Sequence, residues 1–196
     1  MTPTFVRTQL PAPAQPQEAN AMTEPHQDKI FGQINRLMHL TRDEDERGLV
    51  LSVAAFAEDC LGRLLSAYLC DGKAASDLIE GFNAPLGTFS ARIKAGFALG
   101  LLTDEQHKDL ELTRKIRNEF AHNWEGCSFE KVNIKDWIAC MSSSRIDKTV
   151  ATTPKKKFHS TMSCTLVELS YLLSTLGKNG RKVPVVATHF SLTPPQ

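Results

Sequence analysis

The 196-residue chain lacks the features that place a protein in a membrane or a secretory pathway. No apolar run approaches the ~20 residues needed to cross a bilayer. The amino terminus has Arg7 as its single basic residue and no apolar segment behind it, so it is not a secretory signal. We therefore expect a cytoplasmic protein without membrane contact.

Motifs for the common cofactors and metals are also missing. The chain has no Gly-x-x-x-x-Gly-Lys loop, no Gly-x-Gly-x-x-Gly fingerprint and no Gly-x-Ser-x-Gly elbow. Its five cysteines are scattered, without a Cys-x-x-Cys pair or a His cluster at zinc-like spacing. We expect buried reduced thiols, no bound metal and no small-molecule cofactor. A net charge of +1 also argues against a protein that coats duplex DNA through positive charge alone.

Apolar residues recur at helical spacing through most of the chain, which predicts an all-α protein built as a single helical bundle. Residues 1–25 are rich in Pro, Ala, Gln and Thr, so we expect a disordered tail there. Residues 26–178 are the predicted helical domain, and 179–196 a second tail in which Val183–Phe190 is a candidate strand. The predicted helices are 27–40, 43–70, 74–80, 88–99, 103–122, 132–141 and 158–176, with a polar loop at 145–157.

Local signals mark where the middle helices begin and end. Gly100 is placed as a carboxy-terminal cap. Thr103 with Gln106 three residues later has the form of a capping box, which opens the next helix. In the predicted helix 88–99, Ile93, Phe97 and Ala98 are predicted to face the core.

The segment Arg117-Asn118-Glu119-Phe120-Ala121-His122 carries the most specific chemistry of the chain. On a helix, Asn118 and His122 share a stripe, so the amide is expected to reach the imidazole and fix its tautomer. Arg117 is adjacent and can swing its guanidinium alongside. A guanidinium can hold phosphate oxygens, and an imidazole can move a proton near neutral pH. RNA supplies its own 2′-hydroxyl nucleophile, so such a site needs no metal. The alternative is structural: basic residues complement the dipole in the last turn of any helix.

Two carboxylates on the long central helix, Glu58 and Asp59, are candidates to support this segment. Either one could pair with Arg117 or orient His122. The alternative is an exposed position, or a partner in Arg92 or Arg63.

Four further basic residues are candidates for nucleic-acid binding. Arg92 and Lys94 follow the Pro-Leu-Gly turn and could form a phosphate-binding rim. Arg114 and Lys115 cluster with Arg117. A solvated helix face is the alternative for each of them.

The pattern Arg117-Asn118…His122 resembles the Arg-Asn-x-x-x-His motif of HEPN domains, which are helical bundles. Many of these are metal-independent endoribonucleases, and others are RNA-binding or interaction modules. The resemblance implies that Arg117 and His122 are catalytic and that Asn118 supports them. It also implies a homodimer in which these residues meet across the interface.

A wider resemblance, from about Arg47 to Glu130 with a weaker continuation through the last helix, is to the mannitol operon repressor (MltR) family. It is carried by 47–56 (RGLVLSVAAF), 85–94 (PLGTFSARIK), 100–102 (GLL) and the 117–122 segment. Members are described as helical transcriptional regulators without an obvious helix-turn-helix. The resemblance therefore implies a regulator acting through protein or nucleic-acid contacts, and the alternative is an HEPN-type endoribonuclease, a toxin or defence component. Whether the protein is an enzyme stays open at this point.

Overall fold

The computed structural model describes residues 27–123, 125–143, 149, 152–180 and 182. These residues form seven α-helices and no β-strand, which confirms the predicted all-α class. The helices are α1 (Gln27–Arg42), α2 (Glu46–Tyr68), α3 (Lys73–Ile79), α4 (Phe89–Ala98), α5 (Asp104–His122), α6 (Val132–Cys140) and α7 (Pro154–Asn179).

Helix α2 lies at the centre of the core. Its first turn is capped by the Asp45 side chain, which accepts a hydrogen bond from the Gly48 amide at 2.6 Å. It contacts α1, α3, α4, α5 and α7. Because other helices cover so much of it, α2 is apolar over an unusually wide arc. Its buried residues are Leu49, Val50, Val53, Ala54, Ala57, Cys60, Leu61, Gly62, Leu64 and Leu65.

Three phenylalanines fix the carboxy-terminal end of α5 in this core. Phe120 in α5, Phe129 in the following loop and Phe158 in α7 are all fully buried. The ring centroids of Phe120 and Phe129 are 5.5 Å apart, and those of Phe129 and Phe158 are also 5.5 Å apart. Such aromatic pairs contribute about 0.5–1.5 kcal/mol each beyond their burial. The outward-facing residues of the last α5 turns therefore have a firmly placed backbone.

The predicted capping signals at the start of α5 are confirmed. The Thr103 amide donates to Gln106 Oε1 at 3.0 Å, and the Gln106 amide donates to Thr103 Oγ1 at 3.2 Å. Gly100 has a φ of 70°, in the left-handed region that favours glycine after a helix.

Two predictions about the helices are wrong. The last helix begins at Pro154 rather than Phe158, because Thr153 caps it and proline suits its first turn. Phe97 and Ala98 are exposed instead of facing the core. The Phe97 ring stacks on the His107 imidazole at a centroid distance of 4.2 Å, so α5 shields only one side of it.

The cysteines are free thiols, but only Cys60 is buried; Cys70 and Cys140 are exposed. The predicted burial was therefore wrong for most of them. Among the described helices, none is both long and apolar enough to cross a membrane. The predicted amino-terminal tail and the candidate strand Val183–Phe190 lie outside the described residues. The predicted domain limits at 26 and 178 stay a prediction.

Candidate functional site

The last turns of α5 place Arg117, Asn118 and His122 next to one another at the protein surface. Arg117 and Asn118 are half-buried, and His122 is exposed. The Arg117 guanidinium donates to Asn118 Oδ1 at 3.2 Å. Asn118 thus bonds to Arg117, whereas the sequence predicted a bond to His122 that is not found among the described residues. The arginine and the amide form one unit, and the imidazole is left accessible to solvent.

Arg47, at the start of α2, holds the end of α5 in place. Its guanidinium donates to the Phe120 carbonyl and, at 2.6 Å, to the Asn123 carbonyl. These carbonyls belong to the last turn of α5, where helices leave acceptors without intrahelical donors. Sequence reasoning gave Arg47 no role, because its acceptors lie more than seventy positions along the chain.

Glu119 ties the same helix end to the start of α6. Its carboxylate pairs with the Lys131 ammonium and accepts a hydrogen bond from the Asn123 side chain at 2.9 Å. The hydrogen bond from Lys131 lowers the pKa of Glu119, and Glu119 in turn raises the pKa of Lys131. Both groups are therefore ionised throughout the neutral range, and their charges cancel locally.

The charges on the outer side of α5 do not all cancel. Arg114 pairs with Glu111, with a nitrogen to oxygen distance of 2.8 Å. Lys115 is exposed, and neither Lys115 nor Arg117 has a carboxylate partner among the described residues. The predicted cluster of Arg114, Lys115 and Arg117 is thus a surface with two uncompensated cations.

The predicted supporting carboxylates do not reach the Arg117 segment. Asp59 is exposed and pairs with Arg63 at 3.2 Å, which was the alternative considered from the sequence. Glu58 is half-buried, and its backbone carbonyl accepts a hydrogen bond from Arg92 at 2.9 Å. Neither carboxylate contacts Arg117 or His122 within the described part of the chain.

Arg92 has a structural position rather than that of an open phosphate-binding rim. Its guanidinium donates to the carbonyls of Leu86 at 2.9 Å, Glu58 at 2.9 Å and Ile79 at 3.3 Å. These three acceptors join the turn before α4, the middle of α2 and the end of α3. Lys94, by contrast, is exposed.

The described residues hold no cluster of histidine, cysteine or carboxylate side chains that could bind a metal. An open cleft of about 350 Å³ lies at the amino-terminal end of α5, lined by 103–106 and Glu168. The Arg117 segment lies at the opposite end of the helix, so the two are separate surfaces.

Comparison with known proteins assigns the chain to a family. The family model described as mannitol repressor matches residues 73–191, well over half of the chain. The chain belongs to the mannitol repressor family. This confirms the family predicted from the sequence, although the match begins at the first residue of α3. The 47–56 stretch therefore lies outside the match. The match extends beyond Glu130 through α7, where the sequence predicted a weaker resemblance, to Ser191.

The fold has also been seen in a solved structure. The X-ray structure of the MtlR–HPr complex from Escherichia coli contains a chain that is 19% identical, with a TM-score of 0.51. The similarity covers 74% of this chain and 99% of that chain, so the fold is shared over nearly the whole of the relative. No curated protein matches the sequence. The resemblance to HEPN domains stays a prediction.

Proposed function

We propose that this mannitol repressor family member is a regulatory protein that acts by binding a protein partner through the exposed end of α5. The binding surface, here called the α5 face, consists of Lys115, Arg117, Asn118 and His122. The observation that carries the proposal is the family match, which includes all of α5.

The charges of the α5 face indicate what kind of partner it fits. Lys115 and Arg117 are cations without a carboxylate partner among the described residues. Val132, which follows the Lys131 that pairs with Glu119, is 75% exposed. Exposed cations on α5, together with an exposed apolar side chain at the start of α6, suit a protein surface with carboxylates around an apolar contact.

HPr is the first partner to test, because the MtlR chain of similar fold was solved in complex with it. Titration calorimetry of the purified protein with HPr measures the affinity directly. The double variant Lys115→Glu/Arg117→Glu should weaken binding about 10- to 100-fold, since each reversed charge removes an attraction and adds a repulsion.

A matched control is Lys73→Glu, an exposed lysine at the first residue of α3. Lys73 follows the carboxy-terminal end of α2. The end of α5 is bound by Arg47 at the opposite, amino-terminal end of α2, so Lys73 lies away from the α5 face. A carboxylate in the first turn of α3 also suits the helix dipole. The affinity of the Lys73→Glu variant for HPr should equal that of the wild type. An equal loss in both variants would mean that a general change of charge explains the effect.

The alternative is an endoribonuclease that uses Arg117 and His122, and the contact of Arg117 with Asn118 beside an accessible imidazole favours it. Single-stranded RNA incubated with the protein and EDTA tests this function. Cleavage that is lost in both Arg117→Ala and His122→Ala would support it, and the absence of cleavage by the wild type would exclude it for the RNAs used. The expected homodimer stays a prediction that light scattering can test.

A further inference from the structure

Helix α1 is held to the rest of the protein by few contacts. It packs against α2 and α7 and against no other described helix. Of its described side chains, only Ile34 and Thr41 are buried. An element that buries little apolar surface opens locally at a lower free energy than the core does. The docking of α1 therefore depends on individual contacts with α2 and α7.

His159 of α7 makes one of these contacts. The residue is half-buried, and its imidazole forms a hydrogen bond with the backbone of Met38 in α1. Its Nε2 atom is fully buried and has no hydrogen-bond partner among the described residues, so Nδ1 is the atom that donates to the Met38 carbonyl. Ser163, one turn later in α7, contacts the same residue, because its Oγ lies 2.7 Å from Met38 Sδ.

The charged groups that act on this imidazole are both cations. One is Arg42, the last residue of α1, and the other is Lys155, one turn before His159 in α7. The Lys155 ammonium donates to the Glu44 carbonyl at 2.7 Å, which fixes its position. The Glu44 carboxylate lies against Gly48 of α2 instead, and no described carboxylate of α1, α2, α5, α6 or α7 acts on His159.

These surroundings favour the neutral imidazole as long as α1 is docked. Burial is the main cause that lowers the pKa of His159; the hydrogen bond to Met38 opposes it, and Arg42 and Lys155 add to it. In a state with α1 detached, the imidazole is exposed to water and its pKa returns to about 6.5. The detached state then binds the proton more tightly. The docking equilibrium therefore weakens as the pH falls below about 6.5, by at most about 10-fold per pH unit.

We infer that His159 is a pH-sensitive contact that releases α1 from α7 on mild acidification. Protonation places a buried Nε2–H without an acceptor in the contact between the two helices, which is unfavourable. It also adds a third positive charge beside Arg42 and Lys155. Because α1 does not pack against α5, the release is independent of the α5 face and of the partner that binds there.

Hydrogen exchange of the full-length protein, measured by mass spectrometry, tests the release. At pH 7.5 and at pH 5.5, the amides of residues 33–42 should be less protected than those of α5, because α1 opens by itself. Between these two pH values their protection, corrected for the intrinsic exchange rate, should fall several-fold and at most about 10-fold. Equal protection of α1 and α5, or a protection of α1 that does not change with pH, would overturn the proposal.

Two variants and an NMR titration assign the effect to His159. His159→Asn keeps a donor near the position of Nδ1 but cannot be protonated, so its α1 protection should be the same at both pH values. The matched control His39→Asn replaces an exposed histidine of α1 and should keep the pH dependence of the wild type. In the wild type, the His159 ring proton and the amides of residues 33–42 should titrate with one midpoint. Separate midpoints, or a pH dependence that persists in His159→Asn, would overturn the proposal.

Discussion

Replacing Arg92 by methionine should destabilise the fold strongly, although the side chain is only half-buried. The guanidinium joins three segments through the carbonyls of Leu86, Glu58 and Ile79. Methionine keeps the apolar stem of the side chain but has no donor. The variant therefore removes the hydrogen bonds with little change in packing.

The magnitude follows from the number and geometry of these bonds. A hydrogen bond from a charged donor contributes about 1.5–3 kcal/mol, and bonds that share one group do not add fully. The bond to Ile79, at 3.3 Å, is the weakest of the three. We expect Arg92→Met to lower the free energy of unfolding by about 3 kcal/mol, which corresponds to a fall in Tm of about 6–12 °C.

Urea unfolding followed by circular dichroism measures this change. Lys94→Met is the matched control, because Lys94 lies on the same helix and is exposed. It should change the unfolding free energy by no more than about 0.5 kcal/mol. If Arg92→Met lowers the free energy of unfolding as little as Lys94→Met does, the hydrogen bonds of Arg92 do not hold α3 and α4 against α2.

Three further predictions concern other buried or half-buried groups. Gly62→Ala should lower the Tm, because its Cβ would lie 2.7 Å from Nη1 of the anchored Arg92; an unchanged Tm would show that the guanidinium moves aside at no cost. Burial lowers the pKa of His159 below its usual 6.5, so the unfolded state binds the proton more tightly and stability should fall as pH drops below about 6.5. Urea unfolding at several pH values should show this fall reduced in His159→Gln, and an identical fall would contradict the assignment. Burial also raises the pKa of Cys60 to about 11, so at pH 7.5 iodoacetamide should modify exposed Cys70 and spare Cys60, as mass spectrometry can show; equal labelling would mean that Cys60 is accessible.

The helices could be predicted from the sequence because their signals are local. Gly100 marks the carboxy-terminal end of α4 to within a residue. The capping box of Thr103 and Gln106 likewise marks the amino-terminal end of α5. The start of α7 was missed because the lysines at 155–157 suggested a polar loop. Thr153 followed by Pro154 was nevertheless a helix-start signal that the sequence contained.

The interactions between helices could not be predicted in the same way. The sequence indicated a phosphate-binding rim or a solvated helix face for Arg92, yet its acceptors come from three separate segments of the chain. Phe97 lies at an apolar position of α4, but the imidazole of His107 covers only one of its faces. Spacing along one helix does not reveal which neighbour covers each side. For the same reason it predicted the residues of the α5 face without revealing that Asn118 bonds to Arg117.

Mapping the binding surface by NMR shows whether HPr binds at the α5 face. Backbone amide shifts of the isotope-labelled protein, recorded by NMR during titration with HPr, identify the residues that contact the partner. We predict that the largest changes occur at Lys115, Asn118 and His122, and at Val132, which follows the Lys131 that pairs with Glu119 of α5. Changes centred on another surface would show that the α5 face is not the binding site. No change at HPr concentrations of about 1 mM, where even weak complexes form, would show that HPr does not bind.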